Sequence, residues 1–186
     1  MTILETERLV LRKLEPAIDA EFVFDLLNTP KFIQYIGDRG VRSVDDAAAF
    51  IDDRYRASYH EHGYGLYAVD LRFMDATSGT LPTGRVSASA VAVSIGICGF
   101  VKREHFEFPD IGFAFLPDFE GKGYGYESAV AVLEHGRDAL GFNRVLAITS
   151  PDNDVSVRLL TKLGFEYQQL FEQPGGDTVK LFQIDL

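Results

Sequence analysis

Two periodicities of apolar residues alternate along the chain and predict a mixed α/β fold. Apolar residues three or four positions apart predict helices, whereas short runs of β-branched and aromatic residues predict strands. The predicted helices cover residues 16–27, 44–62, 128–140 and 154–162. The predicted strands cover residues 3–13, 64–71, 91–101, 111–116, 144–149, 164–170 and 179–184. About seven strands and four helices in this order indicate a mixed, mostly antiparallel sheet with helices packed on it.

Local signals set several boundaries within this pattern. Ser43 has the side chain of a helix N-cap, and the aromatic-rich piece 31–37 is predicted to be irregular or helical. The polar, turn-rich residues 74–87 are predicted to form a long hairpin connection. Gly96 and Gly99 interrupt an otherwise apolar strand, which predicts a bulge or a close backbone approach there.

Composition bounds the size of the protein and the class of its partners. A chain of 186 residues with 46% hydrophobic content is predicted to form one domain, residues 1–186, with a full core. The net charge is −10, from 28 acidic and 18 basic residues. An acidic chain without a basic run argues against nucleic acid as the main partner. The acidity suits a cationic substrate such as an amine, and it also serves solubility.

The single cysteine, Cys98, lies in an apolar strand and is predicted to be a small buried hydrophobe. A chain without a disulfide framework is expected in a reducing cytoplasm. We find no signal peptide and no apolar run of about 18 residues, so no membrane partner is expected. The pattern is compatible with either a monomer or a homodimer.

A glycine-rich turn carries the clearest chemical information in the chain. Glycines alternate at positions 121, 123 and 125, between the strand 111–116 and the helix that follows. Without Cβ atoms, several backbone N–H groups can converge on one ligand. The dipole of the following helix favours negative charge at the same place. The turn therefore predicts a site for a phosphate or a pyrophosphate, with a plain solvent-exposed turn as the alternative.

Two common phosphate motifs do not fit this turn. A P-loop requires a serine or threonine after its lysine, whereas Lys122 is followed by Gly123. A dinucleotide fingerprint requires a third glycine or an alanine at a set position, where this chain has Tyr126 or Ser128.

The remaining pattern, Glu120-Gly121-Lys122-Gly123-Tyr124-Gly125, resembles the pyrophosphate loop of the GCN5-related N-acetyltransferases, Gln/Arg-x-x-Gly-x-Gly/Ala. Glu120 departs from the usual Gln or Arg, and its carboxylate must point away from bound phosphates. About 28 residues later, Asn153-x-x-Ser156 followed by Lys162-Leu163-Gly164-Phe165 resembles the second motif of the same family. Helix capping by Asn153 and Gly164 is the alternative explanation. The phrase Thr6–Arg12 resembles the opening strand of the RimJ/RimL-like branch.

This resemblance implies a single N-acetyltransferase domain with splayed central strands, which moves acetyl from acetyl-coenzyme A to a primary amine by direct attack. It implies cofactor contacts from Phe113, Ala114, Phe115, Glu120, Gly121, Lys122, Gly123, Tyr124, Gly125, Asn153 and Ser156. No metal is implied, since His60, Glu61 and His62 alternate at a helix end and do not converge.

The resemblance also implies two catalytic residues. Asp110, at the start of the splayed strand, lies where relatives carry a base or a substrate-orienting carboxylate, and its short side chain calls for a bridging water. Glu104 and His105 in the preceding loop are alternatives for the base. Relatives often carry a tyrosine acid where this chain has Leu160, so Ser156 is the hydroxyl left to donate to the departing sulfur.

The amine acceptor is expected between residues 29–38, 102–110 and 172–177. Carboxylates in these segments suit an amine without selecting one, namely Asp38, Glu104, Glu107, Glu172 and Asp177. Protein N-termini and small amines remain alternative acceptors. The competing function is a non-catalytic module of the same fold that binds acetyl-coenzyme A as a sensor or partner domain.

Overall fold

The computed structural model describes residues 1–72 and 92–186. Within them, eight strands form one mixed sheet in the order β1-β2-β3-β4-β5-β6-β8-β7. The strands are β1 (Thr2–Glu5), β2 (Leu9–Arg12), β3 (Leu66–Arg72), β4 (Ala92–Val101), β5 (Asp110–Phe115), β6 (Arg144–Thr149), β7 (Glu166–Glu172) and β8 (Thr178–Asp185). All neighbouring strands are antiparallel except β5 and β6. The predicted α/β class with a mostly antiparallel mixed sheet is confirmed.

Six α-helices accompany the sheet in the described residues. They are α1 (Pro16–Leu27), α2 (Pro30–Tyr35), α3 (Val44–Phe50), α4 (Ala57–His62), α5 (Tyr124–Asp138) and α6 (Asp154–Lys162). A π-helical turn, Ile51–Arg56, joins α3 to α4, so the predicted helix over 44–62 is one continuous run. Ser43 caps this run, because its side chain accepts a hydrogen bond from the N–H of Asp46.

The prediction of one strand over residues 3–13 was wrong. The segment is a hairpin of β1 and β2, in which Glu5 pairs with Val10. The N–H of Thr6 donates to the carbonyl of Leu9 over 2.9 Å and closes the turn. Apolar residues flank the turn on both sides, so the pattern runs through it without a break. This hairpin explains why the sheet has eight strands and not about seven.

Helix α5 begins at Tyr124, four residues before the predicted start at 128. Gly123 precedes it in the left-handed conformation, with φ of 85°, and Gly125 lies inside the first turn. The first turn, residues 124–127, is half-buried but contains glycine and polar side chains, so the apolar periodicity begins only after it. The predicted strand at 91–101 is β4 from Ala92 onward, and Val91 and the 74–87 connection lie outside the described residues.

Both glycines of β4 allow close approaches, as predicted. A Cβ on Gly96 would lie 2.4 Å from the ring of Phe115 on β5. A Cβ on Gly99 would lie 2.1 Å from the carbonyl oxygen of Gly65. Cys98 between them is fully buried, which raises the pKa of its thiol to about 12 and agrees with a core role.

Helix α5 packs on one face of the sheet, chiefly against β4 and β5. Its buried residues include Ala129, Val132 and Leu133, and the ring of Phe100 lies against Gly136, where a Cβ would come within 2.6 Å. This packing fixes the position of the first turn of α5 relative to the end of β5.

Across residues 1–72 and 92–186, we find no helix long and apolar enough to cross a membrane.

Candidate active site

The parallel strands β5 and β6 separate along their length. Their register has one pair, Asp110 with Leu146, supported by a 2.9 Å hydrogen bond from the N–H of Leu146 to the carbonyl of Pro109. The N–H of Leu116 donates to Ile95 on β4. Because hydrogen-bonding groups alternate along a strand, the main chains of Phe113 and Phe115 face the gap, on the opposite side. The sheet thus contains an open edge beside the carboxyl ends of β5 and β6.

The first turn of α5 stands at one side of this gap. Gly121 and Gly123 have φ values of 71° and 85°, so neither position suits an L side chain. The six successive N–H groups from Gly121 to Tyr126 donate to no acceptor within residues 1–72 and 92–186. Unpaired N–H groups at a helix start form an anion-binding site. The loop therefore has both the shape and the charge to hold a diphosphate.

Gly125 has a different role from the other two glycines. It is helical, and a Cβ there would lie 3.3 Å from Cδ2 of Leu159 on α6 and 3.5 Å from the ring of Phe115. The missing side chain therefore brings α5 close to both α6 and β5. Gly121 and Gly123 are thus required by backbone conformation, whereas Gly125 is required by helix packing.

Side chains around the loop leave its N–H groups accessible. The carboxylate of Glu120 forms an ion pair with Nζ of Lys31 on α2. Lys122 lies over the ring of Phe119, with its Nζ 5.5 Å from the ring centroid. Tyr124 carries the guanidinium of Arg8 on its ring, 4.6 Å from the centroid. The acidic departure from the family loop is thus neutralised by a lysine from another element.

Helix α6 begins at the other side of the gap and is capped by its own sequence. Oδ1 of Asn153 accepts a 3.1 Å hydrogen bond from the N–H of Ser156. The Ser156 hydroxyl forms no hydrogen bond with the described residues and is half-buried. Leu160 lies one turn further on and is buried in the core, so Ser156 lies on the same inward-facing side of α6. A hydroxyl donor therefore lies on the inner side of α6.

Asp110 lies at the closed end of the gap, on the sheet face opposite α5. Its carboxyl group is buried, with a 1% exposed residue surface, and Nε of Arg103 donates to Oδ1 over 3.0 Å. Burial raises the pKa of Asp110 to about 6, and the neighbouring Arg103 limits the rise. The group therefore changes its charge close to neutral pH. Its burial keeps the carboxyl group out of direct contact with bulk solvent.

The alternative bases lie on the loop before β5. Glu104 and His105 are exposed, and the ring of His105 stacks on Phe171 of β7, with centroids 5.7 Å apart. Phe106 is buried against the same ring, with centroids 5.1 Å apart. The structure thus brings the 102–110 loop beside the end of β7, next to the 172–177 turn.

Helix α2 reaches both sides of the gap. Lys31 contacts Glu120 after β5, and the carbonyl of Tyr35 accepts a 3.2 Å hydrogen bond from the Ser150 hydroxyl after β6. The segment 29–38 therefore lies at the open end of the gap. Asp38 is committed to an ion pair with Arg42, which holds the pKa of that carboxyl down to about 2.

Three charged residues at this site were not predicted from the sequence: Arg8, Lys31 and Glu127. Arg8 belongs to the Thr6–Arg12 phrase, and Glu127 is an acid in the first turn of a helix, so each residue had a local signal in the sequence. Their pairing joins parts of the chain 119 residues apart, which no local pattern reveals. Over the described ranges, we find no group of His, Cys, Asp and Glu side chains arranged to hold a metal ion.

Comparison with known proteins identifies the family of the chain. A family model for the acetyltransferase (GNAT) domain matches residues 8–166. The match covers most of the chain, so the protein belongs to the GNAT family and is an acyltransferase. The family expected from the two motifs is thereby confirmed.

Individual relatives extend along almost the whole chain. The uncharacterized N-acetyltransferase YoaA of Bacillus subtilis is 28% identical over 171 residues, which cover 92% of this chain and 86% of YoaA. An acetyltransferase structure from Agrobacterium tumefaciens has a TM-score of 0.75 at 22% identity and covers 100% and 95% of the two chains.

A further structure is of RimL, described as the ribosomal L7/L12 alpha-N-protein acetyltransferase in complex with coenzyme A. It has a TM-score of 0.66 at 16% identity and covers 100% of this chain and 98% of RimL. At these identities, the two solved structures establish the shared fold alone.

Proposed function

We propose that the protein transfers acetyl from acetyl-coenzyme A to a primary amine by direct attack. The observation that carries this proposal is the row of six N–H groups, Gly121 to Tyr126, which have no partner among the described residues and lie beside the opened edge of β5. An anion site at a helix start next to an unpaired strand edge matches a ligand with a diphosphate and an amide-bearing arm. Coenzyme A has both parts.

The cofactor is held mainly by main-chain groups. The N–H groups of Gly121 to Tyr126 bind the diphosphate, with the side chains of Glu120, Lys122 and Tyr124 around them, whereas the N–H of Glu120 itself donates to the carbonyl of Pro117. Phe113 and Phe115 pair with the pantetheine amides, because their main chains face the gap. Ala114 pairs with Ile97 of β4, so its contribution is its methyl group. Asn153 offers its amide from the far side of the gap.

The chemical step needs a neutral amine, a donor for the thioester oxygen and a proton for the departing sulfur. Asp110 accepts the amine proton through water, and it is ionised above a pH of about 6. A main-chain N–H of β5 facing the gap serves the thioester oxygen. As the amine nitrogen bonds to the thioester carbon, the bond between carbon and sulfur breaks and coenzyme A leaves as a thiolate, to which the Ser156 hydroxyl donates a hydrogen bond. The thiolate then takes up a proton from water. When bound, acetyl-coenzyme A supplies the activated acetyl group.

The acceptor approaches the gap from the side of α2, β7 and the 102–110 loop. We infer that it is a protein N-terminus, as in the RimJ/RimL-like branch, or alternatively a small amine such as a polyamine, an amino acid or an aminoglycoside. The Thr6–Arg12 phrase supports the first of these acceptors, because it resembles the opening strand of that branch. The exposed carboxylates Glu104, Glu107 and Glu172 suit a cationic approach. The reaction is expected in the cytoplasm.

Two measurements on the purified chain test the proposal. Coenzyme A binding is measured by calorimetry, and thiol release from acetyl-coenzyme A is followed with a panel of N-terminal peptides, polyamines, amino acids and aminoglycosides. We expect micromolar binding, about −8 kcal/mol, and amine-dependent thiol release by at least one class. Absence of coenzyme A binding would overturn the proposal. Tight binding without turnover on any amine would instead favour the sensor function.

A further inference from the structure

We propose that Arg8 is a positioning residue of the diphosphate site, so that the turn between β1 and β2 forms part of the cofactor site. It acts through Glu127 and Lys122 on α5 and its loop. The inference rests on the proposed function, since it assigns a role in binding coenzyme A.

The carboxylate of Glu127 is the meeting point of the two elements. It accepts hydrogen bonds from Oγ1 of Thr6 over 2.6 Å, from the N–H of Arg8 over 2.9 Å and from Nε of Arg8 over 2.6 Å. The Glu127 side chain is only 18% exposed. Charge-assisted hydrogen bonds of this kind are stronger and more directional than a surface ion pair. The hairpin turn is therefore held firmly against the first turn of α5.

The other end of the same guanidinium lies along the glycine loop. Nη1 of Arg8 donates to the carbonyl of Lys122 over 3.1 Å, and the guanidinium carbon lies 4.6 Å from the ring centroid of Tyr124. A Cβ on Gly123 would lie 3.3 Å from Nη2. One side chain therefore contacts Lys122 and Tyr124 and passes close to Gly123 between them. It fixes the direction of the Lys122 carbonyl, and with it the direction of the following N–H groups.

Arg8 also controls the charge at this helix start. Although partial burial opposes ionisation, hydrogen bonds from Thr6 and Arg8 keep the pKa of Glu127 below its usual value. An ionised carboxylate one turn from a bound diphosphate repels it unless a cation lies between or beside them. Arg8 supplies that cation, and its side chain stays 43% exposed. Removing Arg8 leaves both a loose loop and an uncompensated negative charge.

The test compares Arg8→Gln, Glu127→Gln and the double variant with the wild-type protein. Coenzyme A affinity, the KM for acetyl-coenzyme A, kcat and the melting temperature are measured for each. We expect Arg8→Gln to weaken coenzyme A binding and raise KM by about tenfold or more, with kcat at saturation within about twofold. The double variant should bind several-fold more tightly than Arg8→Gln alone, because the repelling carboxylate is gone.

Arg72→Gln is the matched control for loss of stability in the same turn. Nη1 of Arg72 donates to the carbonyl of Thr6 over 3.0 Å, and no contact with the glycine loop is recorded for it within the described residues. It should lower the melting temperature while leaving coenzyme A affinity unchanged. Arg8→Lys restores the charge without the forked contacts, so it should recover only part of the affinity.

Each other outcome overturns the inference. If Arg8→Gln and the double variant lose affinity equally, Arg8 contacts the ligand directly and does not act through Glu127. If Arg8→Gln loses affinity only in proportion to its melting temperature, as Arg72→Gln does, the pair is a structural tie. If the wild-type chain fails to bind coenzyme A, the proposed function falls first and the inference with it.

Discussion

Helices α5 and α6 both begin at the open end of the gap between β5 and β6, yet their first turns are completed differently. At α6, the Asn153 side chain accepts from the N–H of Ser156, as expected of a capped helix. At α5, the residue before the helix is Gly123, which has no side chain to cap it. Six N–H groups there bond no acceptor in the described parts of the chain.

The difference separates a helix start completed by its own sequence from one completed by a ligand. A side-chain cap is worth about 1 kcal/mol to a protein, so α5 begins without a contribution that α6 has. Its glycines keep the uncapped turn open to a larger anion. Helix packing against β4 and β5 holds α5 in place without the cap.

The largest expected effect is that of Gly123→Val. Gly123 has a φ of 85°, where a β-branched residue is strained, and the new side chain would press on Arg8. We expect coenzyme A affinity to fall by about 100-fold or more, because the N–H groups on both sides turn away from the ligand. Titration calorimetry measures the change.

Gly141→Val is the matched control at the other end of α5. Gly141 also has a positive φ, 71°, and within the described residues no heavy atom beyond its chain neighbours lies within 4 Å of the place a Cβ would take. Both variants should lose about 1–2 kcal/mol of unfolding free energy from backbone strain. Only Gly123→Val should lose affinity, and equal affinities in the two variants would remove the loop from the cofactor site.

Asp110, at the closed end of the gap, should affect turnover and not coenzyme A binding. We expect Asp110→Asn to lower kcat by about 10–100-fold while coenzyme A affinity stays within about twofold. In the wild-type protein, kcat/KM should rise with pH through a value of about 6, as Asp110 ionises. A pH profile that keeps this inflection in Asp110→Asn would transfer the role to Glu104, His105 or solvent.

The pKa of the Asp110 carboxyl group also predicts how the free energy of unfolding changes with pH. Its pKa of about 6 in the folded chain exceeds the ordinary value of about 3.9, so the folded state keeps the proton to higher pH. Asp110 therefore contributes about 3 kcal/mol to the free energy of unfolding below a pH of about 4. This contribution is lost as the pH rises to about 6. Denaturant unfolding across this range should show the slope in the wild-type protein and not in Asp110→Asn.

At α6, substitution of Asn153 distinguishes capping from ligand contact. Asn153→Ala should cost about 1 kcal/mol of unfolding free energy, because the N–H of Ser156 loses its acceptor. Asn153→Ser retains a cap, so its melting temperature should stay near that of the wild-type protein. If the Asn153 amide donates to the cofactor, both variants lose affinity by about fivefold. Full affinity in Asn153→Ser would mean that Asn153 is a cap alone.

The smallest effect is expected from Glu120→Gln, beside the uncapped turn. The Glu120 carboxylate is occupied by Lys31, and both side chains are partly exposed, so solvent screens their charges. Removing the negative charge should tighten coenzyme A binding by about twofold to threefold, and high salt should reduce the gain. Weaker binding in this variant would show that Glu120 itself supports the loop.

The sequence was sufficient wherever neighbouring residues decide the structure. The cap at Asn153, the glycine loop at 121–125 and the start of α1 at Pro16 each depend on interactions within a few residues. The alternation of hydrophobic residues located most strands within about two residues of their bounds. The turn at 6–8 was missed because its apolar neighbours continue the same pattern on both sides.

Tertiary structure alone decided which distant side chains meet at the site. Arg8 reaches Glu127 across 119 positions, and Lys31 reaches Glu120 across 89. Tertiary structure also decided that Asp110 is buried beside Arg103. This burial raises the pKa of Asp110 towards neutrality, and Arg103 limits the rise. Periodicity and caps are set by the backbone within one turn or strand, whereas burial, long-range charge pairing and the parting of β5 from β6 exist only once the elements are packed.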